Sequence, residues 1–134
     1  MSQLNAICEK LKVSIEQAYD QGVTMAEAEK LAALTLQARL MLSDSIKTAD
    51  LDARMRKNGV KAVRANVYMD EITKHDKKPA EAFLENAVNL SALVLEEETA
   101  FAEAETERNR LESYLDIFKD AHVFFRQVCK GSFE

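Results

Sequence analysis

The sequence predicts an all-α fold, and three observations carry the prediction. Glycine occurs three times and proline once in 134 residues, so a set of β-strands would have few places to reverse. Apolar residues make up 47% of the chain and recur at steps of three and four, the period of one helix face and not the alternation of a strand. From Pro79 to Lys130 the chain runs for 52 residues with no glycine and no further proline. At this length it fits one domain, or one small bundle with an extended appendage.

Leu4, Ile7, Cys8, Leu11, Ile15 and Ala18 place an amphipathic helix over residues 3–20, with Gly22 as its stop. Thr24-Met25-Ala26-Glu27 is a capping-box pattern, in which the Thr hydroxyl and the Glu carboxylate satisfy exposed backbone donors reciprocally. The helix it opens is expected to reach about Asp44 and to present Leu31, Leu34, Ala38, Met41 and Leu42 as its apolar face. The connection at 20–23 is short, which favours antiparallel pairing, so residues 1–46 read as an N-terminal helical hairpin.

Residues 47–78 read as a basic helical segment with a linker. Asn58-Gly59 is a strong turn signal, and Leu51 and Met55 face well round from Val60, Val63 and Val67. Two helical pieces, about 49–57 and 60–74, are therefore expected with a kink or tight turn between them; a β-hairpin across Asn58-Gly59 is the alternative. The polar run His75-Asp76-Lys77-Lys78 is the clearest linker. Pro79, with fixed φ and no N–H, suits the first turn of the helix that follows, and Gly131 its end.

Residues 79–134 read as one long C-terminal helix that drives oligomerisation. Counting in sevens puts Ala87, Val94, Phe101, Leu115 and Cys129 in one register, and Phe83, Leu90, Ala104, Leu111, Phe118 and Phe125 in the other. Glu97, Arg108 and His122 are the ionisable intruders. A stripe of this width is the seam used by coiled coils, so Phe83, Leu90, Val94, Phe101, Leu111, Leu115, Phe118 and Phe125 are the expected oligomer interface. His122 is expected as a partly buried polar residue that sets register; Glu97 and Arg108 either set register too or mark where the helix bends or loses its partner.

Charge narrows the function. The net charge of −5 argues against a uniformly basic nucleic-acid binder. Its distribution is uneven: residues 51–79 carry eight Lys or Arg against four acids, and residues 80–113 nine Glu against two Arg. There is no long unbroken apolar run, so no membrane span is expected. The start Met1-Ser2-Gln3-Leu4-Asn5-Ala6 lacks a secretory pattern, which favours the cytoplasm. Cys8 and Cys129 are expected as buried, reduced thiols.

The basic cluster Arg54, Arg56, Lys57, Lys61, Arg64, Lys74, Lys77 and Lys78 is the feature closest to a ligand site. On a continuous helix Arg54, Lys57, Lys61 and Arg64 share a narrow arc that can track a phosphate backbone, and Tyr68 lies just beyond, where a ring can stack on a base. The plainer alternative is a set of solvated charges balancing the acidic helix. Likewise, Glu96-Glu97-Glu98 with Glu103, Glu105 and Glu107 is either an acidic partner surface or a solvated face. Glu71 and His75, or Asp120 and His122, have no third ligand at a recognisable spacing, so no metal is expected. No nucleophile with a base, phosphate loop or isolated carboxylate pair is present in the pattern; neither an enzyme nor a cofactor is expected.

Lys78-Pro79-Ala80-Glu81-Ala82, then Ala102-Glu103-Ala104-Glu105-Thr106-Glu107, then Phe118-Lys119-Asp120-Ala121-His122-Val123-Phe124-Phe125-Arg126 form a sequence of features that resembles bacteriophage recombination mediators of the UvsY type. The likeness covers about two-thirds of the chain, in length, helix order and an upstream basic segment. It implies an oligomeric, ring-forming protein that binds single-stranded DNA and helps load a recombinase onto strands coated by a single-strand-binding protein, in the host cytoplasm, without a nucleotide, metal or small-molecule substrate. The DNA-contacting region would map to Arg54, Arg56, Lys57, Lys61 and Arg64, with Arg39 on the preceding helix. The competing expectation is a helical adaptor or phage-encoded inhibitor that binds protein and no nucleic acid.

Overall fold

The computed structural model describes residues 3–131. It contains four helices, α1 (Gln3–Gln21), α2 (Met25–Thr73), α3 (Glu81–Leu90) and α4 (Ala92–Cys129), and no strand among the described residues. The chain is all-α with a long C-terminal helix. Two compact units divide it: the first is Met1–Lys47 with Asn109–Glu134, the second Thr48–Arg108.

The α1–α2 junction forms as its sequence dictates. Gly22 takes φ +80°, a conformation costly to a residue with Cβ, and its N–H bonds the Ala18 carbonyl at 3.0 Å. The capping box closes: Glu27 N–H donates to Thr24 Oγ1, and Thr24 N–H to Glu27 Oε2, both at 3.2 Å. At the other end of the chain Gly131, at φ +69°, follows α4 in the same way.

Three expectations are corrected. First, α2 does not stop near Asp44, nor turn at Asn58-Gly59; it runs unbroken from Met25 to Thr73, which removes the tight turn and the β-hairpin. A Cβ on Gly59 would stand 3.3 Å from Glu97 Oε2, the end of a flexible side chain on α4, so Gly59 faces α4 and the packing of α2 there overrides its turn preference. Second, Pro79 lies outside α3, whose N-cap is Ala80 with ψ 146°; the proline ends the linker at 74–80 instead of starting the helix. Third, the long C-terminal helix breaks at Ser91, extended at ψ 128°, whose N–H turns back to the Val88 carbonyl at 3.2 Å. Serine favours such positions because its side chain competes with helical backbone bonding.

In the first unit α1, the start of α2 and the end of α4 enclose an apolar interior. Glu9 meets Tyr114 while Tyr19 meets Phe124 and Phe125, so α1 runs parallel to α4; Met25 meets Cys129 and Ala32 meets His122, so α2 runs antiparallel to it. Cys8, Ile15, Thr35, Leu42, Phe118 and Phe125 are fully buried. On α4 the buried stripe is Leu111, Tyr114, Phe118, Ala121 and Phe125. Because two helices flank it, that stripe is wider than a two-helix seam, and Leu115 and His122 sit at its half-buried margin. His122 bonds α2 there: Nδ1 lies 3.0 Å from the Ala32 carbonyl, which can only accept, so Nδ1 carries the proton. Thr35 Oγ1 lies 3.4 Å from the same nitrogen.

The second unit packs the end of α2 against α3 and the start of α4. Its buried residues are smaller: Ala53, Leu84, Val88, Val94 and Ala104. Across its helices polar contacts do much of the joining, Arg108 to Asp50 at 3.5 Å and Arg64 to Glu98 at 3.0 Å among them.

Candidate nucleic-acid interface

The continuity of α2 decides the geometry of the basic cluster. At about 100° per residue, Arg54, Lys57, Lys61, Arg64 and Tyr68 fall within an arc of roughly 80°, all in the second unit. Arg56 lies about 200° round from Arg54 and belongs to another face.

The members of the arc differ in what holds them. Arg54 is exposed and pairs with Asp50 one turn earlier at 3.0 Å; Arg56, on its own face, pairs with Asp52 at 3.6 Å. Lys57 and Lys61 are exposed, and among the described residues neither has an ion-pair partner. Arg64 is half-buried, its guanidinium donating to Glu98 Oε1 at 3.0 Å and Asn89 Oδ1 at 2.9 Å. The Tyr68 hydroxyl donates to Glu81 Oε2 at 3.0 Å. Arg64 and Tyr68 thus border a cleft of about 240 Å³ with Glu81, Glu85 and Val88, and that end of the arc turns toward acidic neighbours. Lys74 and Lys78 also have carboxylates, Glu71 at 3.2 Å and Glu81 at 4.0 Å.

Three cations, Arg54, Lys57 and Lys61, therefore present an open surface over two helical turns. Such a row can hold phosphates by charge, and the absence of partners on two of them leaves no carboxylate to displace first. The surroundings oppose this, because the second unit carries nine Lys or Arg against thirteen Asp or Glu. Of the partners, Asp50 and Asp52 stand at helical i to i+4 spacing and are readable from sequence; Glu98 and Asn89 lie 34 and 25 residues from Arg64 and give no local signal.

The expected oligomer interface divides. Val94, Leu111, Phe118 and Phe125 are buried within a single chain, which removes them from any surface a second copy can reach. Their periodicity serves the internal packing. Phe101 and Leu115 are half-buried. Phe83 and Leu90 stand exposed, at 50% and 70%, because Leu84 and Val88 take the inner face of α3.

Other candidate groups have structural surroundings. Glu97 faces Gly59, and Arg108 joins α4 to α2 through Asp50. Glu71 and His75 approach to 3.9 Å, while no group of three or more His, Cys, Asp or Glu converges among the described residues. Cys8 and Cys129 are free thiols; Cys8 is buried, which pushes its pKa up and weakens it as a nucleophile, and Cys129 is half-buried. Arg39 is half-buried on α2 in the first unit. Tyr114 donates a 2.6 Å hydrogen bond to Glu9, which with burial raises its pKa to about 12. No helix among the described residues is long and apolar enough to cross a membrane. Comparison with known proteins found no matching family model, no matching curated protein and no matching solved structure.

Proposed function

We propose that this chain binds single-stranded DNA as a homo-oligomer, in the manner of a phage recombination mediator that assists recombinase loading. The observation that carries the reading is the exposed row Arg54, Lys57 and Lys61 on an unbroken α2, with both lysines unpaired among the described residues. One copy offers a few weak phosphate contacts. Repeated across an assembly, each further contact is intramolecular and the sum becomes useful. The recombinase and the single-strand-binding protein are partners in this reading through the sequence resemblance.

Fluorescence anisotropy of a labelled oligonucleotide tests it. Binding is expected to weaken steeply as salt rises and to fall at least tenfold when Arg54, Lys57 and Lys61 are all changed to Ala. Equal binding by the triple variant would overturn the site.

A second reading, a protein-binding adaptor or inhibitor, is favoured by one specific observation. Arg54, Arg56, Arg64, Lys74 and Lys78 each already face a carboxylate of their own chain. On that reading the purified protein ignores the oligonucleotide at low salt.

A further inference from the structure

On the first unit, α1 and the start of α2 leave an open groove of about 340 Å³. Ile7, Leu34 and Met41 line it and remain 42%, 39% and 42% exposed, although all are apolar. Lys10 stands on its α1 wall, and a polar continuation of about 490 Å³ reaches Lys30 on α2. Among the described residues neither lysine has an ion-pair partner. Glu27 is the one carboxylate lining either part, and the capping box already occupies it.

The second unit carries a stripe that matches this groove in order and spacing. On α4, Leu93, Glu96, Ala100 and Glu103 follow one another at steps of three, four and three residues, which lays them along one side of the helix. Leu93 is 63% exposed, and Glu96 and Glu103 are exposed with no partner among the described residues. Because α1 and α2 are antiparallel, the groove carries Ile7 then Lys10 on its α1 wall and, in the same direction, Met41, Leu34 and, in the polar continuation, Lys30 on its α2 wall. Measured from Met41 along α2, Leu34 is seven residues on and Lys30 eleven; Lys10 is three on from Ile7 along α1. Measured from Leu93, Glu96 is three on, Ala100 seven and Glu103 ten. At about 1.5 Å per residue each wall matches the stripe on its own helix: three residues from Ile7 to Lys10 and from Leu93 to Glu96, and eleven from Met41 to Lys30 against ten from Leu93 to Glu103.

We infer that the groove of one copy receives the Leu93–Glu103 stripe of a second copy. Leu93 seats on Ile7 and Met41, Glu96 meets Lys10, small Ala100 passes over Leu34, and Glu103 meets Lys30. The contact is head-to-tail, groove to stripe, so it propagates from copy to copy. It names the surface behind the assembly half of the proposed function and rests on that half alone.

Charge reversal tests it by light scattering coupled to size exclusion, with circular dichroism to confirm folding. The parent is expected to exceed the monomer mass of 15.1 kDa. Lys10→Glu with Lys30→Glu is expected to return it to monomer, and so is Glu96→Lys with Glu103→Lys. Mixed together, the two reversed proteins have complementary charges again and are expected to form a complex. A monomeric parent, reversed variants that keep the parent's mass, or a mixture that stays monomeric would each overturn the contact. Anisotropy on the same samples separates the two ideas: an assembling parent that ignores the oligonucleotide sinks DNA binding and leaves the contact standing, whereas variants that assemble and bind like the parent sink the contact alone.

Discussion

The two units of this chain share α2 and α4 but join their helices in different ways. The first unit is closed by large apolar side chains: Ile15, Leu42, Phe118 and Phe125 are fully buried, and rings crowd together where Tyr19, Phe124 and Phe125 meet at 5.1–6.1 Å. The second unit buries alanines, valines and one leucine, and ties its helices with Arg64–Glu98, Arg64–Asn89, Tyr68–Glu81 and Arg108–Asp50. A large buried side chain contributes about 1.5–3 kcal/mol, whereas a part-exposed ion pair contributes about 0–1 kcal/mol. The first unit therefore holds most of the stability. The second holds the exposed charge on which the functional proposal depends, and such low-stability regions are where binding surfaces tend to lie.

Phe118→Ala should produce the largest effect. Phe118 is fully buried and its ring stacks on Tyr114 with centroids 6.0 Å apart. Truncation leaves a cavity between three helices and is expected to cost about 3–5 kcal/mol, read as a fall in the urea midpoint. A loss below about 1 kcal/mol, the scale of a surface change, would mean that the first unit is not the stability centre.

Tyr114→Phe comes next, because it removes the 2.6 Å bond to Glu9 and leaves packing intact. A hydrogen bond to a charged group contributes about 1.5–3 kcal/mol; Glu9 is exposed and regains water, so a loss near 1 kcal/mol is expected. The pH dependence follows from the raised pKa. An unfolded tyrosine titrates near 10, the folded one at about 12, so between these values the folded state keeps a proton that the unfolded state has released. The contribution is complete below about pH 10 and is lost as pH rises toward 12. The parent's stability should fall across that window more steeply than the variant's; parallel curves would show that the Glu9 bond does not hold the proton.

How much of this was legible in the sequence depends on the range of each signal. The capping box at Thr24 and Glu27 and the glycine stops at 22 and 131 are local, and all three formed as read. Asn58-Gly59 is local too, yet it misled, because the turn preference of the pair was outweighed by helix packing over α3 and α4, elements more than twenty residues away. The heptads after Pro79 reported truthfully that one face of α4 is buried, but on α3 their members Phe83 and Leu90 stand exposed. Periodicity does not say by whom, so Phe118 and Phe125, expected between copies, lie inside one chain. The break at Ser91 was invisible because no glycine or proline marks it. Of the candidate site, the identities of Arg54, Lys57 and Lys61 were readable. Their shared arc needed α2 to be continuous, and Arg64's ties to Glu98 and Asn89 needed the fold.

Gly59→Ala gives the smallest effect and the sharpest contrast between the units, because its sign is at stake. Alanine in a helix interior is favoured over glycine by about 0.5–1 kcal/mol. The added methyl would meet Glu97 Oε2 at 3.3 Å, the far end of a flexible side chain at a half-buried position. In a seam joined by polar, part-exposed groups that carboxylate can swing aside, so the variant is expected to be more stable than the parent by about 0.5 kcal/mol, most of the propensity gain surviving. A tightly packed seam would respond in the opposite direction, since overpacking a close-fitted interior costs about 1–3 kcal/mol. A higher thermal midpoint for Gly59→Ala would place the second unit among loosely fitted, charge-joined structures; a lower one would mean that its small buried residues are packed as closely as the aromatic interior of the first.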